Sequence, residues 1–327
     1  MKLASLKART SRDGELCVVD RNLKYAVKVP HIAATLQVAI DNWSILETQL
    51  QSVYAVLNAG TIDNRFVFEP HLMSSPLPRA YQWADGSAYV NHVELVRKAR
   101  GVTMPENFWT EPLMYQGGSD GFLGPHDSIP VADINAGVDF EAELAVITDD
   151  VPMGTSVTNA AAHIKLMMLV NDVSLRNLIP AELAKGFGFF QSKPASSFSP
   201  VAITLDEFGA NWQNERVSLP LCSYINDQLF GQPNAGVDMV FSFAQLIAHA
   251  SYTRSLSAGT IIGSGTVSNC DRSLGSSCIV EKRMLEILEY GAAVTEYMQF
   301  GDKIRIEMLN DSGCSLFGDI NQQIIKY

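Results

Sequence analysis

The alternating segment "DFEAEL", Asp139 to Leu144, constrains the chain most, because it combines a strand pattern with three acids. Asp139, Glu141 and Glu143 occupy every second position, and this period predicts a β-strand with three carboxylates on one face. Side chains on one strand face lie about 7 Å apart, and two like charges at that distance repel by roughly 2 kcal/mol in a protein-like dielectric. Either water screens these charges or a cation neutralises them. The pattern by itself leaves both alternatives open.

The rest of the chain predicts an α+β fold that is mostly β. Beyond residue 75 turn residues are frequent and strand-like runs are short, including "MLEILEYG" and two strands joined at residues 300–302. Apolar residues recur at helical spacing over residues 32–57 and 239–252, which predicts two helices. A proline-rich stretch follows the first of these, and we place a domain boundary there. The prediction is a small N-terminal α+β domain, 1–75, and a larger, mostly β domain, 76–327.

The net charge and the composition limit the classes of molecule that we expect the protein to bind. The net charge is −11 and the pI is near 5.0, whereas nucleic acids and anionic membrane surfaces bind proteins with a basic footprint. The apolar runs are too short to span a bilayer, and the first residues lack the apolar core of a signal peptide. Five scattered cysteines form no CxxC pair, which is typical of reduced thiols in the cytosol. We therefore expect a cytoplasmic protein with no nucleic-acid partner and no membrane partner.

Two acids from other segments add to the carboxylates of the alternating strand. Asp85 precedes His92 by seven residues, and Asp172 follows a short apolar run. Each residue has an ordinary explanation when it is taken singly, because acids lie on solvated sheet faces and aspartates cap turns. With Glu141 and Glu143 they form an oxygen-rich set, which hard cations such as Mg²⁺, Mn²⁺ or Ca²⁺ prefer.

Motifs along most of the chain give it a resemblance to the fumarylacetoacetate hydrolase family. The most specific are the E-x-E pair at Glu141 and Glu143 and the N-D-x-S sequence at residues 171–174. The segments "DGSAYVNH", "ARGVTMPENFW", "EPLMYQGG", "QSKPASSFSP", "AGTIIGSG" and "MLEILEYG" also resemble family segments, in the same order. The resemblance implies a fumarylacetoacetase-type catalytic domain, a mixed β-roll and sandwich, preceded by a small N-terminal domain.

The resemblance also implies roles for individual residues. A divalent cation (Mg²⁺, Mn²⁺ or Ca²⁺) would be held by four acids, Asp85, Glu141, Glu143 and Asp172. His92 would be the general base, oriented by Glu286, with Glu281 as the competing acid. Lys193 would stabilise developing negative charge. Substrate contacts would come from Arg100, Thr260 and Ser87. Asp139 is not a ligand in this assignment, and it either faces solvent or bonds to the backbone.

The activity that the resemblance implies is hydrolysis of a carbon–carbon bond in a 1,3-diketo acid by a metal-dependent homodimer. Fumarylacetoacetate is the first substrate prediction, which gives fumarate and acetoacetate in tyrosine degradation. The branch that cleaves it has Gln and Tyr where this chain has Ile179 and Leu183, and Tyr in place of Ser87. These departures leave open an acylpyruvate hydrolase or a 2-oxo acid hydratase or decarboxylase. A non-catalytic protein that binds a cation or a carboxylate would keep the acids without needing His92.

Overall fold

The computed structural model describes residues 1–99 and 103–327, so Arg100, a predicted substrate contact, lies outside the described residues. The fold is α+β and mostly β, as predicted. The helices are α1 (Leu36–Asp41), α2 (Trp43–Asn58), α3 (Val90–Ala99), α4 (Val157–Ala160), α5 (Ile179–Leu183), α6 (Phe243–Ala250) and α7 (Ile279–Tyr290). The strands are β1 (Lys2–Leu6), β2 (Glu15–Val19), β3 (Tyr25–Lys28), β4 (Phe66–Val67), β5 (Trp83–Gly86), β6 (Met114–Gly117), β7 (Ile129–Val131), β8 (Val138–Asp139), β9 (Ala142–Thr148), β10 (Ile164–Asn171), β11 (Ser174–Leu175), β12 (Ser197–Phe198), β13 (Ala202–Ile203), β14 (Trp212–Gln213), β15 (Arg216–Val217), β16 (Cys222–Ile225), β17 (Gln228–Gly231), β18 (Ile261–Gly263), β19 (Lys303–Leu309) and β20 (Ser315–Lys326).

The largest sheet has eleven strands. Its neighbouring strands follow the order β4-β3-β2-β1-β13-β10-β9-β18-β5-β6, and β12 pairs with β10. Both faces of its central strands are buried, since Leu144 and Val146 on β9 pack in one apolar cluster while Ala145 and Ile147 pack in another. A second sheet has the order β17-β16-β19-β20-β7. The adjacent strands β10, β9, β18 and β5 of the larger sheet carry the candidate site.

The N-terminal strands join the same sheet as the later ones. β1 pairs with β2 on one side and with β13 on the other, where Lys2 lies opposite Ile203. Strands from both sides of residue 75 therefore share one hydrogen-bonded sheet. The domain boundary at that residue stays a prediction.

The predicted helices form with shifted ends. Thr35 caps α1 by accepting a hydrogen bond from the Val38 amide at 3.3 Å, and Asn42 separates α1 from α2. The helix predicted over residues 239–252 is α6, which begins after Ser242 with a reciprocal capping box to Gln245. In the described part of the chain no helix is long and apolar enough to cross a membrane.

Two expectations for the C-terminal region were wrong. The segment "MLEILEYG" lies in α7 and not in a strand, because its Met, Leu and Glu residues favour helix. Gly291 ends that helix with a φ of 82°. β19 forms after residues 300–302 as predicted, whereas the preceding segment contributes an isolated bridge between Met298 and Val138.

The strand predicted across residues 138–147 is interrupted. Asp139 ends β8 and pairs opposite Ser174 of β11, whereas Glu143 lies within β9 and pairs opposite Val170 of β10. Glu141 lies in the gap between the two strands. The three acids consequently do not share one face, and each finds different partners.

Candidate metal centre and active site

Three carboxylates converge at adjacent strands of the larger sheet. Asp85 lies on β5, Glu143 lies on β9, and Asp172 directly follows β10. One oxygen from each lies within 4.8 Å of the other two, and all three side chains are buried. β18 lies between β9 and β5, where Gly263 is opposite both Ala145 and Asp85. Strand pairing therefore brings together acids that are far apart in sequence.

Two glycines permit the backbone to approach Asp85. A Cβ at Gly263 would lie 2.2 Å from Asp85 Oδ1, which excludes a side chain there. Gly265 has a φ of 74°, a left-handed conformation that favours glycine. Its N–H donates to Asp85 Oδ1 at 2.9 Å. This bond fixes one carboxylate oxygen and leaves the other available to a cation.

The three acids fit a hard cation. In the described part of the structure Glu143 Oε2 is buried without a hydrogen-bond partner, and such an atom costs about 1–3 kcal/mol if nothing satisfies it. Burial and the charge of Asp172 raise the pKa of Asp85 to about 8. Burial and the charge of Asp85 also raise the pKa of Glu143. A divalent cation would satisfy the unpartnered oxygen and offset the repulsion, and this all-oxygen donor set suits Mg²⁺, Mn²⁺ or Ca²⁺.

Lys193 connects this cluster to Glu141. Its Nζ donates to Glu141 Oε2 at 2.5 Å and to Asp172 Oδ2 at 2.6 Å. Burial would lower the pKa of Lys193, but the charges of Asp172 and Glu141 raise it. Burial would likewise raise the pKa of Glu141, but Arg176 and Lys193 hold it below its usual range. The structure thus brings three of the four predicted ligands into one cluster, and Glu141 as a fourth ligand stays a prediction.

The carboxylate of Asp139 is stabilised by backbone amides and by an arginine side chain. Its carboxylate accepts from the amides of Ile279 and Val280, in the first turn of α7, at 2.7 and 2.9 Å. It also accepts from Arg176 Nε at 2.7 Å, and Arg176 Nη2 reaches Glu141 Oε1 at 2.8 Å. A negative charge at a helix N-terminus is stabilising. Of the two expectations for Asp139, the bond to backbone is correct, and the residue is buried.

Glu281, the competing candidate, lies beside His92, and the assignment of Glu286 was wrong. His92 Nδ1 on α3 is 2.6 Å from Glu281 Oε2, and the Glu281 side chain is fully buried. Glu286 instead accepts from the amides of Val294 and Thr295, both at 2.8 Å. The two acids lie five positions apart on α7, so they point roughly 140° apart around the helix axis. The M-L-E motif could not distinguish them.

The predicted substrate contacts are separated in the structure. Ser87 lines a cavity next to the carboxylates. Thr260 is buried, and its hydroxyl donates to the Ser257 carbonyl at 2.7 Å, away from the described lining of that cavity. Thr266 lines the cavity instead and lies 3.5 Å from Glu143 Oε1. Thr260 precedes β18 and Thr266 follows it, and only the second end of that strand meets the acids.

Asp172 is held by two hydroxyls that the sequence patterns did not single out. Tyr115 donates to Oδ2 at 2.5 Å, and Ser196 donates to Oδ1 at 2.8 Å. Both lie in segments that resemble family motifs, "EPLMYQGG" and "QSKPASSFSP". Such motifs could have marked them, whereas Arg176 carried no comparable signal.

The cavity has a volume of about 460 Å³. Its polar lining groups include His92, Lys193 and three carboxylates, Asp85, Glu141 and Glu143. The remaining wall is largely apolar and includes Val93, Val96, Phe108, Leu113, Met114, Ile179, Leu183, Phe189 and Met284. A mostly apolar cavity with a few convergent polar groups is the usual form of a small-molecule site.

Comparison with known families identifies the chain's relatives. The family model described as fumarylacetoacetate (FAA) hydrolase C-terminal matches residues 82–325, which is most of the chain. The chain belongs to the fumarylacetoacetate hydrolase family. A second model, fumarylacetoacetase N-terminal domain 2, matches residues 1–79. Among curated members of the fumarylacetoacetate hydrolase family, a mitochondrial oxaloacetate tautomerase from Homo sapiens is 27% identical over 55% of this chain and 54% of its own length. The chain therefore matches about half the length of that relative.

Solved structures show the same fold. The match to a fumarylacetoacetate hydrolase from Exiguobacterium antarcticum covers 100% of this chain and 100% of that protein, with a TM-score of 0.66 and 18% identity. A maleylpyruvate hydrolase from Sphingobium sp. SYK-6, in complex with manganese(II) and pyruvate, covers 100% of this chain and 99% of its own with a TM-score of 0.65 and 16% identity. The structure of that maleylpyruvate hydrolase holds a divalent metal, and this chain carries a carboxylate cluster of a composition that would suit one.

Proposed function

We propose that this protein is a metal-dependent hydrolase that cleaves a carbon–carbon bond in a 1,3-diketo acid. The observation that supports the proposal most is the 2.6 Å contact between His92 Nδ1 and Glu281 Oε2, at a cavity that His92 shares with the carboxylate cluster. The cluster alone would suit a cation-binding protein. A histidine held by a buried carboxylate is the arrangement that activation of water requires.

His92 supplies the base. An ionised carboxylate can only accept hydrogen bonds, so Nδ1–H donates to Glu281 and Nε2 keeps its lone pair. Nε2 takes a proton from water while the water oxygen adds to a ketone carbonyl of the substrate. When the carbon–carbon bond breaks, its electron pair leaves as an enolate. The proton held by His92 then returns to that fragment, so the products are a carboxylic acid and a ketone.

The remaining residues prepare the site for this reaction. Asp85, Glu143 and Asp172 would hold the divalent cation, with Glu141 as the predicted fourth ligand. When bound, the cation supplies a Lewis acid toward the dicarbonyl oxygens. Lys193 adds a fixed positive charge beside the place where the enolate forms. The manganese bound to the Sphingobium relative supports a divalent cation here.

Fumarylacetoacetate remains our first substrate prediction, and its products would be fumarate and acetoacetate. Among the described lining residues Arg97 is a cation that forms no ion pair, which favours a substrate with a second carboxylate. An acylpyruvate hydrolase is a second candidate, because Ile179 and Leu183 make part of the wall apolar. The homodimer and the place in tyrosine degradation follow from the family resemblance and stay predictions.

A single assay series tests the function. Purified protein with Mg²⁺ or Mn²⁺ would be offered fumarylacetoacetate, acetylpyruvate and oxaloacetate side by side, with ultraviolet loss of the diketo chromophore and both product fragments measured. We expect cleavage of at least one diketo acid, abolished by chelator and restored by cation. Conversion of oxaloacetate between its enol and keto forms, without cleavage of either diketo acid, would reject the hydrolase and indicate a tautomerase.

A further inference from the structure

Besides His92, two further side chains donate hydrogen bonds to the carboxylate of Glu281. Ser268 Oγ donates to Glu281 Oε2 at 2.7 Å, and Arg272 Nη1 donates to Oε1 at 3.2 Å. Arg272 Nη1 and Asn91 Nδ2 both donate to Ser268 Oγ, each at 3.0 Å. The Glu281 side chain is fully buried, whereas 28% of the Arg272 side chain is exposed. The hydroxyl and the guanidinium together fix both carboxylate oxygens.

The buried carboxylate needs a permanent countercharge that His92 cannot provide. His92 is neutral whenever it is ready to act as a base, so it offers Glu281 a hydrogen bond and no charge. The Arg272 guanidinium is always protonated and lies within hydrogen-bond distance. Burial would raise the pKa of Glu281, but the hydrogen bond and charge of His92, the hydrogen bond from Ser268 and the charge of Arg272 lower it. When the imidazole is neutral its charge no longer contributes, and that of Arg272 remains. Arg272 therefore favours an ionised Glu281 while the imidazole is neutral.

We infer that Arg272 is a positioning residue for the proposed reaction, because it keeps Glu281 ionised and oriented so that His92 holds its proton on Nδ1. The inference rests on the proposed function. If Glu281 took up a proton from solvent, its hydroxyl would donate to His92 Nδ1, and the imidazole proton would sit on Nε2. That tautomer has no lone pair directed at water, so it cannot act as the base. Arg272 acts on the chemical step through Glu281 and without a contact to substrate.

The first test measures kcat and KM separately, so that an effect on the chemical step is distinguished from an effect on substrate binding. Arg272→Met keeps an unbranched apolar side chain and removes the guanidinium. We expect kcat to fall roughly 10- to 100-fold, by analogy with the loss of hydrogen-bond partners that orient metal-ligating histidines, while KM stays within about twofold. Arg305→Met is the matched control, because Arg305 pairs with Glu307 on β19, outside the described cavity lining. Equal kcat values for the two variants would overturn the inference.

Rescue distinguishes positioning from a general loss of stability. Arg272→Lys restores a positive charge and should recover most of kcat. Arg272→Ala should regain activity when millimolar guanidinium is added, because the native side chain is partly exposed and the vacated space is reachable from solvent. Failure of both rescues would contradict the role of charge, even if the variants melt at the wild-type temperature.

The tautomer of His92 provides a readout that does not depend on turnover. Nitrogen NMR of the Mg²⁺-loaded protein should show a protonated Nδ1 in the wild type and a shift toward the Nε2–H tautomer in Arg272→Met. An unchanged tautomer would reject the inference while leaving the hydrolase intact. A wild-type protein that cleaves no diketo acid would reject both the proposed function and the base that Arg272 is inferred to position.

Discussion

Asp139→Asn and Glu143→Gln each remove one charge from neighbouring buried acids, and the structure predicts different effects on stability. Burial raises the pKa of Asp139, as it does that of Glu143, but in Asp139 the charge of Arg176 and the amides of Ile279 and Val280 oppose the rise. Asp139 accepts three hydrogen bonds of 2.7 to 2.9 Å, one of them from Arg176. Hydrogen bonds to charged groups contribute about 1.5–3 kcal/mol each, and asparagine keeps one acceptor, so we expect a loss of about 3 kcal/mol. For a chain of 327 residues this lowers Tm by roughly 4 °C.

Glu143→Gln should leave the metal-free protein as stable as the wild type, or more stable. Glu143 Oε2 has no hydrogen-bond partner among the described residues, and burial with the charges of Asp85 and Asp172 raises the Glu143 pKa. A neutral amide removes repulsion, and Glu143 forms no ion pair within residues 1–99 and 103–327 that the substitution could break. The same substitution removes a proposed ligand, however, so stabilisation by a cation should disappear.

Thermal melts of chelator-treated protein, with and without Mn²⁺, test both variants at once. At a cation concentration of about 100 times Kd the wild type gains about 2.7 kcal/mol, again roughly 4 °C in Tm. Asp139→Asn should melt lower and keep this rise, whereas Glu143→Gln should melt normally and lose it. The reasoning is refuted if Asp139→Asn loses the rise at an unchanged Tm, or if Glu143→Gln is destabilised and still responds to Mn²⁺.

Three further predictions concern the site and its surroundings. His92→Asn should lower kcat by roughly 10²–10⁴-fold and keep the Mn²⁺-induced rise in Tm; steady-state kinetics with normal kcat would reject the mechanism. Ile179→Gln should raise kcat/KM for fumarylacetoacetate relative to acetylpyruvate, because it adds a polar group to the apolar wall; an unchanged ratio would show that this wall does not select the substrate. Glu286→Gln should leave kcat unchanged and lower Tm at neutral pH. Burial raises the Glu286 pKa, but bonds from Thr295 lower it more, from 4.5 to about 2. Its stabilisation is therefore present above pH 4.5 and is lost as pH falls toward 2, so melts should show the difference in Tm shrinking over that interval.

Much of the fold class and the chemical character of the site could be predicted from the sequence. Short runs with frequent turns indicated a mostly β architecture, and helical spacing located the α1–α2 segment and α6 to within a few residues, although it did not show the break between α1 and α2. The acids at Asp85, Glu143 and Asp172 were selected as a cation site, and they converge in the structure. The strand and helix predictions succeed because periodicity is a local property, and a local pattern is enough to choose between strand and helix. The convergence of the three acids agrees with the predicted cation site, which stays a prediction.

Partners that meet through the fold could not be predicted in the same way. Glu281 is 189 positions from His92, and the helix that carries it resembled a strand, so the sequence could not choose between two acids on α7. The described cavity lining includes Thr266 and not Thr260, because only the end of β18 next to Thr266 reaches the carboxylates. The first choice depends on which face of α7 packs against His92, and the second on which strand ends are adjacent in the sheet; both are properties of long-range packing.

The alternating acids show most clearly what the sequence determines and what the tertiary structure decides. The sequence by itself determined that Asp139, Glu141 and Glu143 are closely spaced acids whose charges must be either screened or neutralised. Only the tertiary structure decided how: an α-helix N-terminus with Arg176 for the first, Arg176 with Lys193 for the second, and a cluster with two further carboxylates, our proposed cation site, for the third. The reason is that a two-residue period specifies which way side chains point along an unbroken strand, whereas burial and countercharge come from elements that pack against it from distant parts of the chain.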